Sequence, residues 1–136
     1  MKQFVLSIVI TWFFAYILKI IFILIKEGQL NKEMLVMNGG MPSGHTALAG
    51  SLTMALLLET GFSPYFVMGV VITILVIYDA VNVRSIIEQQ SKAINKLISD
   101  RKDIPKLEEN VGHTGLEVAV SLGLSVIIPL LVYYMI

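Results

Sequence analysis

FVLSIVITWFFAYILKIIFILI, residues 4–25, decides the fold class. Crossing the hydrocarbon core of a bilayer takes about 20 mostly apolar residues, and this run supplies them with one interior charge, Lys19. The run is longer than the roughly 7–15 residues of a signal-peptide core. No small-residue cleavage site follows it at Lys26-Glu27-Gly28-Gln29, so it reads as a retained span. Composition agrees: of 136 residues, 56% are hydrophobic and 15% charged, against about 25% charged in soluble domains. The mean hydropathy is +0.80, which makes lipid the solvent for much of the surface. Ten basic and ten acidic residues cancel, which argues against a nucleic-acid binder held by phosphate neutralisation. The absence of cysteine excludes disulfides, thiolate metal sites and cysteine nucleophiles.

Working outward, three more apolar stretches follow, at about Thr46–Leu58, Pro64–Tyr78 and Leu116–Ile136. The expectation is an all-α membrane bundle of about four spans in a single domain, residues 1–136. The middle two stretches are short and read as a helical hairpin closed by Glu59-Thr60-Gly61-Phe62-Ser63-Pro64, with Gly and Pro where a turn wants them. Beyond Asp79 polar residues dominate, yet Val83, Ile86, Ile87, Ile94, Leu97 and Ile98 keep three- and four-residue spacings. The third helix is therefore expected to run past the membrane surface to about Ser99, with residues 100–110 as a loop. Gly69, Ser121 and Gly123 are candidates for close helix approach. Four spans put the first and third loops on one side. They hold Lys26, Lys32, Arg84, Lys92, Lys96, Arg101, Lys102 and Lys106, whereas the other side holds only Lys2. Basic residues favour the cytoplasm, so both long loops are expected there and both termini outside.

Four groups of residues carry chemistry. Lys19 either snorkels to the interface or faces the bundle interior as an anion-binding group. Met41-Pro42-Ser43-Gly44-His45-Thr46 precedes the second apolar stretch. Pro and Ser suit a helix start, and free N–H groups at a helix N-terminus make an anion site. Ser43 adds a hydroxyl, and His45 titrates near neutral pH. His113 and Glu117 lie one helical turn apart at the start of the last stretch. A carboxylate there can hold the imidazole in one tautomer, leaving the other nitrogen free to attack; the plainer role is a charged helix start favoured by the helix dipole. Asp79 and Arg84 fall at the loop-facing end of the third stretch, either as interfacial charges or with Arg84 as a phosphate clamp and Asp79 as a carboxylate that orients a cation or binds a metal. Span counting alone places both histidine-bearing helix starts on one membrane face.

These residues, in this order, resemble the type 2 phosphatidic acid phosphatase superfamily. Its divergent branch, the divergent PAP2 family, is the closest likeness, through Gly39 to Ala47, Tyr78-Asp79-Ala80 with Val83-Arg84, and Gly112-His113-Thr114 with Leu116-Glu117-Val118. The resemblance implies that His113 attacks phosphorus to form a phosphohistidine. It further implies that Glu117 orients His113, that His45 protonates the leaving oxygen, and that Ser43 and the Gly44 amide bind phosphate. It implies no metal or other cofactor. Three departures stand out. The usual aspartate is Glu117, Leu107 occupies the place of an arginine before the last histidine, and Lys19 is followed at the family spacing by Lys26-Glu27 rather than Arg-Pro. Guanidinium groups are thereby lost, and Arg84 offers one from another helix.

The reading that follows is a membrane phosphatase acting on a lipid phosphate or prenyl (di)phosphate. His113, Glu117 and His45 would be catalytic, and Lys19, Ser43, Gly44, Asp79 and Arg84 would serve substrate binding. The rivals are a non-catalytic membrane protein that binds phosphorylated headgroups in the same pocket and a metal-dependent phosphotransferase. The expected partners are a phosphorylated lipid or prenyl substrate and membrane lipids, with no nucleic acid. Four short spans make a thin bundle, compatible with a homodimer.

Overall fold

A computed structural model describes residues 1–28 and 39–135 of the chain. Lys32, used in the charge count, and Ile136, at the end of the last stretch, lie outside the described residues. The apolar run of residues 4–25 forms α1, Lys2–Glu27, which ends at Gly28 in a left-handed conformation with its N–H on the Leu24 carbonyl. Ser43 starts α2, Gly44–Thr60. Ser63 and Pro64 start α3, Pro64–Tyr78. A π-helical turn, Asp79–Val83, passes directly into α4, Arg84–Leu97. The last apolar stretch is α5, Gly115–Met135.

The four helices expected from hydropathy are present, and three are long and apolar enough to cross a membrane: Lys2–Glu27, the continuous Pro64–Leu97 and Gly115–Met135. At 17 residues α2 rises only about 25 Å, short of a hydrocarbon core of about 30 Å. It is the inner helix, packed on α1, α3 and α5, so its neighbours provide much of its surroundings.

The interior explains the fold more directly than the hydropathy does. Large apolar side chains such as Phe13, Ile74 and Leu131 point outward, and the fully buried residues are small or polar. Lipid offers no hydrophobic drive between helices, so close packing of small residues and hydrogen bonds hold them together. Ser7, Thr11 and Ala15 form a buried stripe on α1 at four-residue spacing, and the next position in that stripe is Lys19. On α5 the same spacing buries Ser121, Ser125 and Pro129. A Cβ at Gly50 would collide with the Ser125 side chain, so α2 and α5 meet there at backbone range. Gly69 lies against Thr53, whose hydroxyl is 2.8 Å from that of Thr73 across the hairpin. Ser121 is likewise buried within the chain, whereas a Cβ at Gly123 would meet nothing among the described residues.

The ends of the helices fix their directions. Glu59, near the end of α2, lies 2.8 Å from the Met1 amino nitrogen and accepts from the Tyr133 hydroxyl at 2.8 Å. The start of α1 and the ends of α2 and α5 therefore share one face. The end of α1, the π-helical turn and the starts of α2 and α5 share the other.

On α4 the amphipathic pattern is turned round. Ser91 and Asn95 are buried, whereas Ile86, Ile94 and Leu97 are exposed, Leu97 at 83%. The polar face is the one that packs on the protein.

Candidate active site

The site is built from two helix starts. At the first, Ser43 caps α2. Its hydroxyl oxygen accepts from the Thr46 N–H at 3.4 Å and from the Thr46 hydroxyl at 3.0 Å, and the Ala47 N–H bonds the Ser43 carbonyl. The Gly44 and His45 amides have no hydrogen-bond partner among the described residues, as the first N–H groups of a helix do not. With the helix dipole they make an anion-binding end. Ser43 itself is enclosed, and its own N–H donates to the Ser121 hydroxyl at 2.7 Å. Its hydroxyl oxygen is used as the cap on Thr46.

At the second start, Thr114 and Glu117 form a reciprocal capping box. The Glu117 N–H donates to the Thr114 hydroxyl at 3.3 Å, and the Thr114 N–H donates to Glu117 Oε2 at 3.4 Å. The same Oε2 lies 2.8 Å from His113 Nδ1. An ionised carboxylate only accepts, so Nδ1 carries the hydrogen, and in the neutral imidazole Nε2 presents its lone pair. The His113 side chain is 1% exposed, and Nε2 has no hydrogen-bond partner among the described residues. Leaving a buried acceptor unpaired costs about 1–3 kcal/mol, so such an atom calls for a reason. The backbone is fixed as well: the His113 N–H donates to the Ala80 carbonyl at 3.1 Å. Ala80 lies in the π-helical turn, where the Arg84 N–H bonds five residues back to Asp79. Turns of this kind recur at functional sites.

The two starts are tied together and share charged neighbours. Ser121 donates to the Glu117 carbonyl at 2.7 Å while accepting from the Ser43 N–H, so one hydroxyl bridges them. His45 interacts electrostatically with Arg84, His113, Asp79 and Lys19. Lys19 continues the interior stripe of α1, lies near Gly40 and is in the field of Glu108 and Glu117. That placement is the interior one of the two offered by the sequence. Arg84 donates from Nε to Asp79 Oδ2 at 2.7 Å, and its two terminal nitrogens have no partner among the described residues. Beside this cluster a cavity of about 390 Å³ runs between Phe22 and Ile23 of α1 and Gly39, Gly40, Asn110 and Glu117.

Several residues here were not singled out from the sequence for this work. Thr114 was legible, because Thr-x-x-Glu is a capping signature. Ser121 was legible only as a small residue, although it lies one turn beyond Glu117. The Ala80 carbonyl has no side-chain signal at all. The described residues contain no group of three or more His, Cys, Asp or Glu able to hold a metal ion.

The Divergent PAP2 family matches residues 1–128. The uncharacterized membrane protein YuiD of Bacillus subtilis (strain 168) is 31% identical over 122 residues, covering 77% of each chain. No solved structure matches the chain.

Proposed function

Because this chain belongs to the divergent PAP2 family, we propose that it is a membrane phosphatase that hydrolyses a lipid phosphate or prenyl (di)phosphate through a phosphohistidine. The observation that carries this reading is His113 Nε2, buried and unpartnered while Nδ1 is held by Glu117. The lone pair of Nε2 attacks phosphorus, the bond to the lipid oxygen breaks, and His45 gives that oxygen a proton. His45 then takes a proton from water, whose oxygen attacks the phosphohistidine and releases inorganic phosphate and a neutral His113. The Gly44 and His45 amides, Lys19 and the free nitrogens of Arg84 hold the phosphoryl oxygens, and Asp79 orients Arg84. Such donors, fixed before the reaction, supply most of the stabilisation in phosphoryl transfer. The cavity beside Glu117, walled by Phe22 and Ile23, gives an apolar substrate chain a place next to the phosphate. The basic residues of the first and third loops favour the cytoplasmic side for this face.

A second reading, a non-catalytic binder of phosphorylated headgroups, draws on Leu107. Its side chain is exposed where the superfamily carries an arginine. Phosphate release from several lipid phosphates, with and without EDTA, separates the readings. Release that survives EDTA and disappears in His113→Ala supports the enzyme. Retained phosphate binding without release supports the binder, and EDTA-sensitive release supports a metal-dependent phosphotransferase.

A further inference from the structure

Residues 107–112 deliver His113 to the site, and they form neither helix nor strand. Backbone groups without a ladder of their own need partners elsewhere. At one end, Asn95 of α4 holds both polar groups of a single residue. Its Nδ2 donates to the Leu107 carbonyl at 2.8 Å, and its Oδ1 accepts from the Leu107 N–H at 2.8 Å. The same Nδ2 also donates to Glu109 Oε1 at 2.7 Å. At the other end, Glu88 Oε2 accepts from the Gly112 N–H at 3.1 Å, one residue before His113. Glu88 and Asn95 stand two turns apart on one face of α4, about 10 Å along its axis. Between them, the Asn110 carbonyl accepts from the Gly39 N–H at 3.0 Å, so the segment also touches the loop that leads to His45. Gly112 lies flat against α4, where a Cβ would come within 3.1 Å of Ser85 Cα.

Ordinary packing of an amphipathic helix would have buried the isoleucines of α4. The helix instead turns Glu88, Ser91 and Asn95 toward the segment and leaves Ile86 and Ile94 outside. We propose that Glu88 and Asn95 are positioning residues for His113, a two-point clamp that sets its imidazole against the start of α2. The catalytic consequence rests on the proposed phosphatase reading; the clamp itself can be read without turnover.

The chain has two histidines, so its imidazole nitrogen spectrum is simple. The test takes the full chain, labelled with 15N-histidine in detergent micelles, alongside steady-state hydrolysis of a lipid phosphate. The wild type should show His113 as one tautomer, with hydrogen on Nδ1. Asn95→Ala and Glu88→Ala should mix the tautomers and lower kcat about 10- to 100-fold, with KM little changed, as expected when a reacting group is misplaced. Glu88→Gln keeps an oxygen for the Gly112 N–H and should restore both readouts. Leu107→Ala removes an exposed side chain and keeps the clamped peptide, so it should match the wild type. Helical circular dichroism and the thermal midpoint identify any variant that has lost the bundle, and the Glu88 pair then decides. A pure tautomer and unchanged kcat in both alanine variants overturns the clamp, as does Glu88→Gln behaving like Glu88→Ala. If the wild type turns over no substrate while Glu88→Ala still mixes the tautomers, the clamp stands and the phosphatase reading fails.

Discussion

The two histidine-bearing helix starts are held in opposite ways. His113 is fixed from three directions: Glu117 on its ring, the Ala80 carbonyl on its N–H, and Glu88 on the residue before it. His45 sits on the first turn of α2 with an exposed side chain, and its ring makes no hydrogen bond to the described residues. The difference fits the two proposed tasks. A nucleophile gains most from being placed before the substrate arrives. A general acid must reach a proton acceptor whose position the substrate decides. A tight site for one imidazole and a loose one for the other is therefore what a two-histidine phosphoryl transfer asks of its scaffold.

The contrast can be broken at several points. The largest effect is expected on the fixed side. Glu117→Gln puts an amide where a carboxylate held Nδ1–H and invites the wrong tautomer, so kcat should fall about 1,000-fold with substrate binding retained. A loss below tenfold would mean that the capping box, and not the imidazole, is the main business of Glu117. Next is the loose side. His45→Ala should cost about 100-fold on alkyl phosphates, and far less on p-nitrophenyl phosphate, whose leaving group needs no proton. Equal losses on both substrates would remove His45 from the acid's role. A smaller effect is expected from Gly112→Ala, which forces a methyl group against Ser85 and should lower stability by about 1–3 kcal/mol. Its thermal midpoint should drop, and a variant as stable as the wild type would contradict the close approach.

Much of this arrangement is legible in the sequence. Four apolar stretches gave four helices, and the ends of α3 fell where Pro64 and Tyr78 suggested. Counting spans put both histidines on one face, and the helix directions set by Glu59 agree with it. For Lys19 the sequence leaves interface and interior both open, and its place after the buried Ser7, Thr11 and Ala15 favours the interior. Other features had no sequence signal. The π-helical turn depends on where the Ala80 carbonyl must face His113, a demand that arises only once two distant segments meet. The inward polar face of α4 is invisible to periodicity, which finds an apolar stripe but cannot say whether it faces protein or surroundings. Ser43 shows a third limit, since one hydroxyl suits a helix cap and a phosphate donor equally, and only its burial against Thr46 and Ser121 favours the cap.

The central claim is that His113 Nε2 is the atom that takes the phosphoryl group. Its most direct measurement is a rapid alkaline quench of the full-length protein during turnover of a 32P-labelled lipid phosphate, followed by mapping of the labelled peptide. The account predicts base-stable, acid-labile label on His113, absent in His113→Ala and accumulating in the wild type before phosphate release. Label on His45, or steady phosphate release with no labelled histidine at any quench time, would contradict it.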